Sequence, residues 1–355
     1  MKKFFVVILT LIWIFPAQAK TGPEFSRYFK DRTLRMDYFH SGTKTKSLVS
    51  LDQFYEAGTW PGSLTNLTDT LNLGKYLLKV YDLRTNQLIY SYGYSTLFGE
   101  WQTTGEAAQG VLRTFSETLR MPFPVHPVQI TISERDRENI FRETFSTTLD
   151  PNSRFVNHEN RVPPQVKVKA ILKSGDPHKK VDLAVIADGY TAQQKEKFFK
   201  DAGIRIRTLL NTEPFRSNKN RINVWAVFAP SEESGPDQPR KGIFHNTAVE
   251  TSFNTLDLPR YLMTTDNRDL RDIAGAAPYD NLFILVNSGR YGGGGIYNFY
   301  AVCSSDNARS NYVFVHEFGH AFGGLADEYY SSKVTYNEFY PPGVEPWEPN
   351  ITALL

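Results

Sequence analysis

At 355 residues, 41% hydrophobic and 14% aromatic, with 40 basic and 38 acidic side chains giving a formal charge of +2, the chain has ordinary globular composition. That balance excludes a predominantly disordered chain, and no basic patch or amphipathic membrane helix points to a nucleic acid or a membrane as partner. The length exceeds one compact core, so two domains of roughly 100 to 200 residues each are expected.

The chain opens on Met1-Lys2-Lys3, an almost unbroken apolar run over 4–15, Pro16, and the small-x-small sequence Ala17-Gln18-Ala19. A positive start, a short apolar stretch and a small-residue cleavage site predict a secretory signal peptide over residues 1–19, since the run is too short to cross ~30 Å of hydrocarbon. The mature chain is expected to begin near Lys20, to reach the periplasm or the extracellular space, and to lack membrane insertion after signal removal. Cys303 is the single cysteine, so no disulfide closes within these residues and the thiol is expected to fill an apolar position.

Residues 20–161 are rich in Thr, Tyr, Phe and Ser, with short alternating runs broken by turn residues, which predicts antiparallel sheet. The clearest piece is a strand at 76–81, a turn at 82–86 and a returning strand at 87–92; residues 125–133 alternate similarly. No acid, base and nucleophile cluster here, so this half reads as an all-β sandwich for packing or substrate docking.

Around Val162-Pro163-Pro164 the texture changes, and Lys173-Ser174-Gly175-Asp176-Pro177 reads as a surface turn before a second domain over 166–355. Residues 181–187 form a buried-strand run that ends at Asp188, read as a turn former ahead of the alternative, an electrostatic partner. Thr191 can cap a helix over 192–203 with Phe198, Phe199 and Ala202 at helical spacing. Buried strands follow at 222–228 and within 279–287, with His245 read as a surface residue between them. Strand, helix, strand, loop, strand, helix is an α/β pattern.

The chemistry is carried by Tyr312-Val313-Phe314-Val315-His316-Glu317-Phe318-Gly319-His320-Ala321-Phe322. Residues four apart stand one above the other on a helix, so His316 and His320 can grip one ion, and imidazole is a natural zinc ligand. Glu317, one residue past the first histidine, projects beside the ion as a general base for water. A catalytic zinc takes three protein ligands. In the metzincin-like pattern a glycine three residues past the second histidine turns the chain to the third ligand; here Gly323 holds that position but would deliver Ala326, whereas the adjacent Gly324 delivers Asp327, one residue longer than the template, with Glu328 the alternative. The glycine run over 291–299 reads either as a strand edge approached by substrate backbone or as a flexible loop, and Tyr329 or Tyr330 as an oxyanion donor or a core residue.

The segment His316-Glu317-Phe318-Gly319-His320-Ala321-Phe322-Gly323-Gly324-Leu325-Ala326-Asp327-Glu328-Tyr329-Tyr330 resembles the M64 family of metallopeptidases, named for an IgA-cleaving member. So do Ile186-Ala187-Asp188-Gly189-Tyr190-Thr191, Ser231-Glu232-Glu233-Ser234-Gly235, Val286-Asn287-Ser288 and Gly343-Val344-Glu345-Pro346-Trp347-Glu348-Pro349-Asn350. The resemblance implies Zn2+ held by His316, His320 and an acid of the Asp327-Glu328 pair, Glu317 as general base, and a catalytic domain that continues past Leu355, truncated here. The expected fold is an N-terminal all-β sandwich followed by an α/β metzincin-like zinc peptidase domain. The expected function is a secreted zinc metalloendopeptidase acting on a protein or peptide. The rivals are a zinc-stabilised non-catalytic adhesin or glycan-binding protein, and a zinc hydrolase acting on non-peptide amides.

Overall fold

The computed structural model describes residues 23–328 and 340–353; the expected signal peptide over residues 1–19 lies outside them, as do Tyr329 and Tyr330. The N-terminal part runs α1 (Phe25–Tyr28), β1 (Phe29–Gly42), β2 (Ser47–Ala57), β3 (Tyr76–Asp82), β4 (Gln87–Tyr94), α2 (Leu97–Trp101), α3 (Gly105–Ala108), β5 (Arg113–Pro124), β6 (Val128–Arg135), β7 (Phe141–Leu149) and β8 (Val156–Asn157). These strands form two four-stranded sheets, in the orders β5-β1-β2-β8 and β4-β3-β6-β7. Alternation explains the pairing: Tyr76, Leu78 and Val80 of β3 point inward, and Leu78 and Val80 stand opposite Ile132 and Ile130 of β6. They share one core with Leu34, Met36 and Tyr38 of β1 in the other sheet.

The second part adds β9 (Lys167–Leu172), β10 (Val181–Asp188), α4 (Lys195–Leu210), β11 (Ile222–Phe228), α5 (Asn267–Ala274), β12 (Asn281–Val286), β13 (Gly293–Ile296), β14 (Tyr300–Ser304) and α6 (Ser310–Gly323). They make one six-stranded sheet in the order β13-β14-β12-β10-β11-β9. The four central strands are parallel, and β9 and β13 are antiparallel edges. Strands β10 and β12 read as continuous apolar runs because both faces are covered. Leu183, Val185 and Phe283 meet Phe198 and Ile206 of α4 and Phe314 of α6, whereas Ala184, Ile186 and Ile284 meet Leu270 and Ile273 of α5. Phe283 and Phe314 stack at 3.9 Å between centroids. Cys303 is fully buried in the α4 and α6 layer.

The chain is mostly β-sheet with some helices. Two details differ from the sequence expectations. The helix expected over 192–203 starts as a 3-10 turn at Ala192–Gln194, with the Gln194 side chain accepting the Thr191 amide at 3.0 Å, and then continues to Leu210. Asp188 is more than a turn former: fully buried, its carboxylate accepts the amides of Val249 and Thr251 and the hydroxyls of Thr247 and Thr251. Four donors offset the cost of burying the charge, although desolvation still raises the carboxyl above its ordinary value. Asp188 thereby pins the 247–251 loop over the end of β10.

The two parts share buried structure. Leu97, Phe98, Trp101 and Phe115 belong to the same apolar cluster as Phe253, Met263 and Ile284. Strand β1 is buried on both faces from Thr33 to Tyr38, because the side chains that turn away from the sandwich core meet α5. There Arg35 donates to Asp37 at 2.8 and 2.6 Å and to Asp272 at 2.5 Å, and Arg161 reaches the other oxygen of Asp272 at 3.0 Å. Breaking a buried, hydrogen-bonded ion pair strands a charge in a dry interior, so Asp272→Ala is expected to cost about 3–5 kcal/mol. Urea unfolding of the full chain checks this, and a loss under about 1 kcal/mol, typical of an exposed pair, contradicts it.

Candidate active site

Helix α6 presents two faces. Val313, Phe314, Phe318 and Ala321 are buried against the sheet, which leaves His316, Glu317 and His320 partly accessible on the other side. The helix stops at Gly323, and Gly324 takes a left-handed conformation (φ 64°, ψ 28°) with its amide bonded to the carbonyls of Gly319 and His320. A glycine adopts this conformation without the Cβ strain other residues meet. The chain therefore doubles back along the helix it has just left. The Leu325 carbonyl accepts His320 Nδ1 at 2.5 Å, which turns Nε2 of that ring outward. Two residues later Asp327 arrives beside both histidines.

His316 Nε2 and His320 Nε2 are 3.1 Å apart, and Asp327 Oδ1 is 3.3 and 3.2 Å from them respectively. Asp327 Oδ1 is buried, and among the described residues no donor reaches it in good hydrogen-bond geometry. Two imidazole nitrogens and a carboxylate oxygen in a near-equilateral triangle are reconciled by a shared cation, proton or metal. Ligands about 2.0–2.1 Å from one ion at tetrahedral angles stand about 3.3 Å from one another, so the triangle has the size of one face of a zinc tetrahedron. Glu328 is exposed and turns away, accepting the Asn350 amide at 2.8 Å. Asn350 also bridges both backbone groups of Ala326, at 2.8 and 3.0 Å, and so holds the returning strand of the turn.

The charges follow from this geometry. Burial works against ionisation of Asp327, yet the adjacent imidazoles hold its carboxyl well below the usual carboxylate range. Burial likewise opposes the His320 imidazolium, but Asp327, Glu317 and the Leu325 carbonyl push it up to about 9. Glu317 lies beside the triangle, with a carboxyl oxygen within 4.8 Å of the ligating atoms of both histidines. Desolvation raises its pKa while His320 and His316 pull the other way.

The cover over Glu317 is the edge strand β13. A Cβ on Gly293 would stand 2.9 Å from Glu317 Oε1, and one on Gly295 would stand 2.3 Å from the Glu317 carbonyl oxygen and 3.1 Å from the His320 Cβ. Gly294 points to the opposite side, where a Cβ would meet Met263 Sδ at 2.4 Å and the Tyr261 ring at 2.6 Å. The glycine run is thus an ordered edge strand whose bareness lets the sheet lie directly on α6; the backbone that approaches it closely is the protein's own. Gly295→Ala forces the strand off a helix backbone that cannot yield. It is expected to cost about 1–3 kcal/mol as an overpacking change and to weaken metal retention, read by thermal unfolding with and without added zinc; an unchanged melting temperature and unchanged retention would contradict the contact.

An acid and an aromatic complete the surroundings. Glu100, on α2 of the N-terminal part, accepts the Tyr261 hydroxyl. Desolvation pushes its carboxyl up to about 7, against the pull of Tyr261 and His320 and with the push of Glu317 and Asp327. The sequence carries no signal for this, since Glu100 sits in a segment without any clustered chemistry. His245 is partly buried, its Nδ1 3.2 Å from the Pro236 carbonyl, and it is not grouped with His316, Glu317 and His320 of α6. The segments around Gly189, Ser234 and Asn287 meet instead at the carboxyl ends of the parallel strands, where Asn287 Nδ2 donates to Gly189 O, Gln194 Oε1 and Ser234 Oγ.

Residues 169–355 match the family model described as IgA Peptidase M64, and residues 24–146 match the model described as Peptidase M64 N-terminus. No curated protein matches the chain significantly.

Proposed function

Because the chain belongs to the IgA peptidase M64 family, we propose that this peptidase is a secreted zinc metalloendopeptidase, with His316, His320 and Asp327 holding the ion and Glu317 acting as general base and acid. The observation that carries the reading is the triangle of His316 Nε2, His320 Nε2 and Asp327 Oδ1 with edges of 3.1–3.3 Å. Zinc bound there supplies Lewis acidity, which acidifies water and polarises a carbonyl. Glu317 takes the proton of the attacking water and returns it to the leaving amine, so one carboxylate serves both transfers. Its place between α6 and the bare edge strand keeps solvent from one side of that carboxylate. The Leu325 carbonyl fixes the tautomer and tilt of His320, and Asn350 fixes the turn that carries Asp327. Cys303 is buried with its thiol pushed far up by desolvation, which removes it as a nucleophile.

Three ligating side chains with a non-ligating carboxyl beside them suit an open, catalytic site better than the closed site of a zinc-stabilised adhesin. The helix that ends in a glycine turn and returns an acid to its own histidines supports a metzincin-like reading of residues 166–355. The run at 4–15 and the Ala17-Gln18-Ala19 site support export to the periplasm or beyond. Among the described residues no helix is long and apolar enough to cross a membrane.

The test is cleavage of casein or a peptide library by the wild type and Glu317→Gln, each analysed for metal. Both are expected to retain zinc, with cleavage falling by about 10²–10⁴-fold in the variant, the usual contribution of a general base. Equal cleavage by the two removes Glu317 from the mechanism, and a zinc-free active chain overturns the metal.

A further inference from the structure

A cavity of about 420 Å³ lies at the seam between the N-terminal sheets and the six-stranded sheet. The 60–71 loop and strands β4 and β5 close one side, and the start of β12 with the 297–299 turn closes the other. It is separate from the histidine triangle, none of whose residues lines it. Its volume falls within the range that takes a small ligand, roughly 300–1,000 Å³.

Two guanidinium groups line it. Arg120 lies flat on Tyr279, 3.4 Å from the ring centroid, and donates Nη2 to the Tyr279 carbonyl. That fixes the side chain and commits one Nη2 hydrogen, which leaves one of the two edges that Nη2 shares with Nε and with Nη1 open to a ligand. Arg271 is buried and held by Asn267 and the Phe299 carbonyl. A stacked, oriented arginine edge is suited to bidentate capture of a carboxylate.

The neighbouring acids set the charge the site can accept. Asp69 is saturated by its own loop, taking the Leu71 and Gly93 amides at 2.7 Å each. Asp280 accepts the Asp182 amide at 2.8 Å, and burial pushes its carboxyl up to about 7. Two guanidinium groups face two acids, one of which burial holds toward its neutral form, so little positive charge is left uncompensated, which suits a monoanion better than a phosphate dianion. The walls are aromatic, with Trp60, Tyr90, Tyr92 and Tyr297 facing the space. They offer stacking and polar tips to a ring-bearing body.

We propose that the seam cavity binds a monocarboxylate with a ring-bearing body, its carboxylate held by Arg120 with Arg271 behind it. The ligand chemistry is shared by a carboxyl-terminal aromatic residue of a peptide and by an acidic sugar. A ligand there rests on the 297–298 turn, which ties both parts together: Ser95 N donates to Tyr297 O at 2.9 Å, Asn298 Nδ2 to Gly93 O at 2.7 Å, and Asn298 N to Ala321 O of α6 at 2.8 Å.

The test is calorimetric titration of the full chain, with the change in tryptophan fluorescence that Trp60→Phe removes as a second readout, using N-acetylphenylalanine, its primary amide and N-acetylneuraminic acid. At least one carboxylate is expected to bind, and the one that does identifies the source; the amide is expected to bind at least tenfold more weakly. Arg120→Gln is expected to weaken binding by about 10–100-fold, the worth of a hydrogen bond to a charged group. Asn66→Trp, a filling substitution at the exposed rim that leaves Arg120 untouched, is expected to abolish binding and keeps the test valid where Arg120→Gln unfolds. Failure of both carboxylates to bind, equal binding of the amide, or binding that survives Asn66→Trp overturns the assignment. The readout needs no peptidase activity, so it stands apart from the fate of the catalytic reading.

Discussion

The contact between the edge strand β13 and helix α6 is the constraint on which the candidate site rests. Gly295 lies so near the Glu317 carbonyl, and Gly293 so near the Glu317 carboxylate, that neither position has room for a side chain. Backbone packed on backbone fixes the roll of α6 about its axis, and with it the directions of His316 and His320. It also strips water from one side of Glu317, and that desolvation raises its proton affinity. Strand β13 is anchored on both edges, by its ladder to β14 and by the 260–262 segment, where the Leu262 amide meets the Gly293 carbonyl at 3.3 Å. The sheet edge and the helix are thus held against each other.

The second half of the site comes from what ends the helix. Gly324 reverses the chain, Leu325 gives its carbonyl to His320, and Asp327 comes to rest beside both imidazoles within four residues of the helix end. All three side chains of the triangle therefore derive from one short segment, and little chain entropy separates them. Asn350 clamps that segment from a distant part of the chain, and Trp347 packs on Tyr297 at 5.8 Å between centroids, so the 340–353 stretch braces the turn against the seam. The N-terminal part joins the same structure through Glu100 and Tyr261 on one side and the 297–298 turn on the other.

Much of this was legible in the residues because it rests on local periodicity. Positions four apart on a helix predict the pairing of His316 with His320, and Gly324, one residue past the metzincin-like spacing, points to a return near Asp327 or Glu328; which of the two faces the histidines depends on the direction of the chain after Gly324. The hairpin of 76–81 and 87–92 and the buried strands 181–187 and 222–228 show clear alternation or unbroken apolar runs. Strand β9 does not, because Lys167-Val168-Lys169-Ala170 is a solvent-facing edge with no buried face to mark it. The glycines of β13 lack side chains and so carry no pattern, which is why substrate approach and a flexible loop were the readings open to them. Asp188, Glu100 and the Arg35–Asp272 pair depend on partners tens to hundreds of residues away, and a single sequence holds no trace of such contacts.

The central claim is that one zinc ion sits on the triangle of His316, His320 and Asp327, and crystallographic anomalous scattering on either side of the zinc absorption edge tests it most directly. A single peak is expected about 2.0–2.1 Å from both Nε2 atoms and from a carboxylate oxygen of Asp327, with Glu317 near but unbound. A peak coordinated by Glu328 in place of Asp327, a site closed by Glu317 as a fourth ligand, or no peak in zinc-loaded crystals would contradict it.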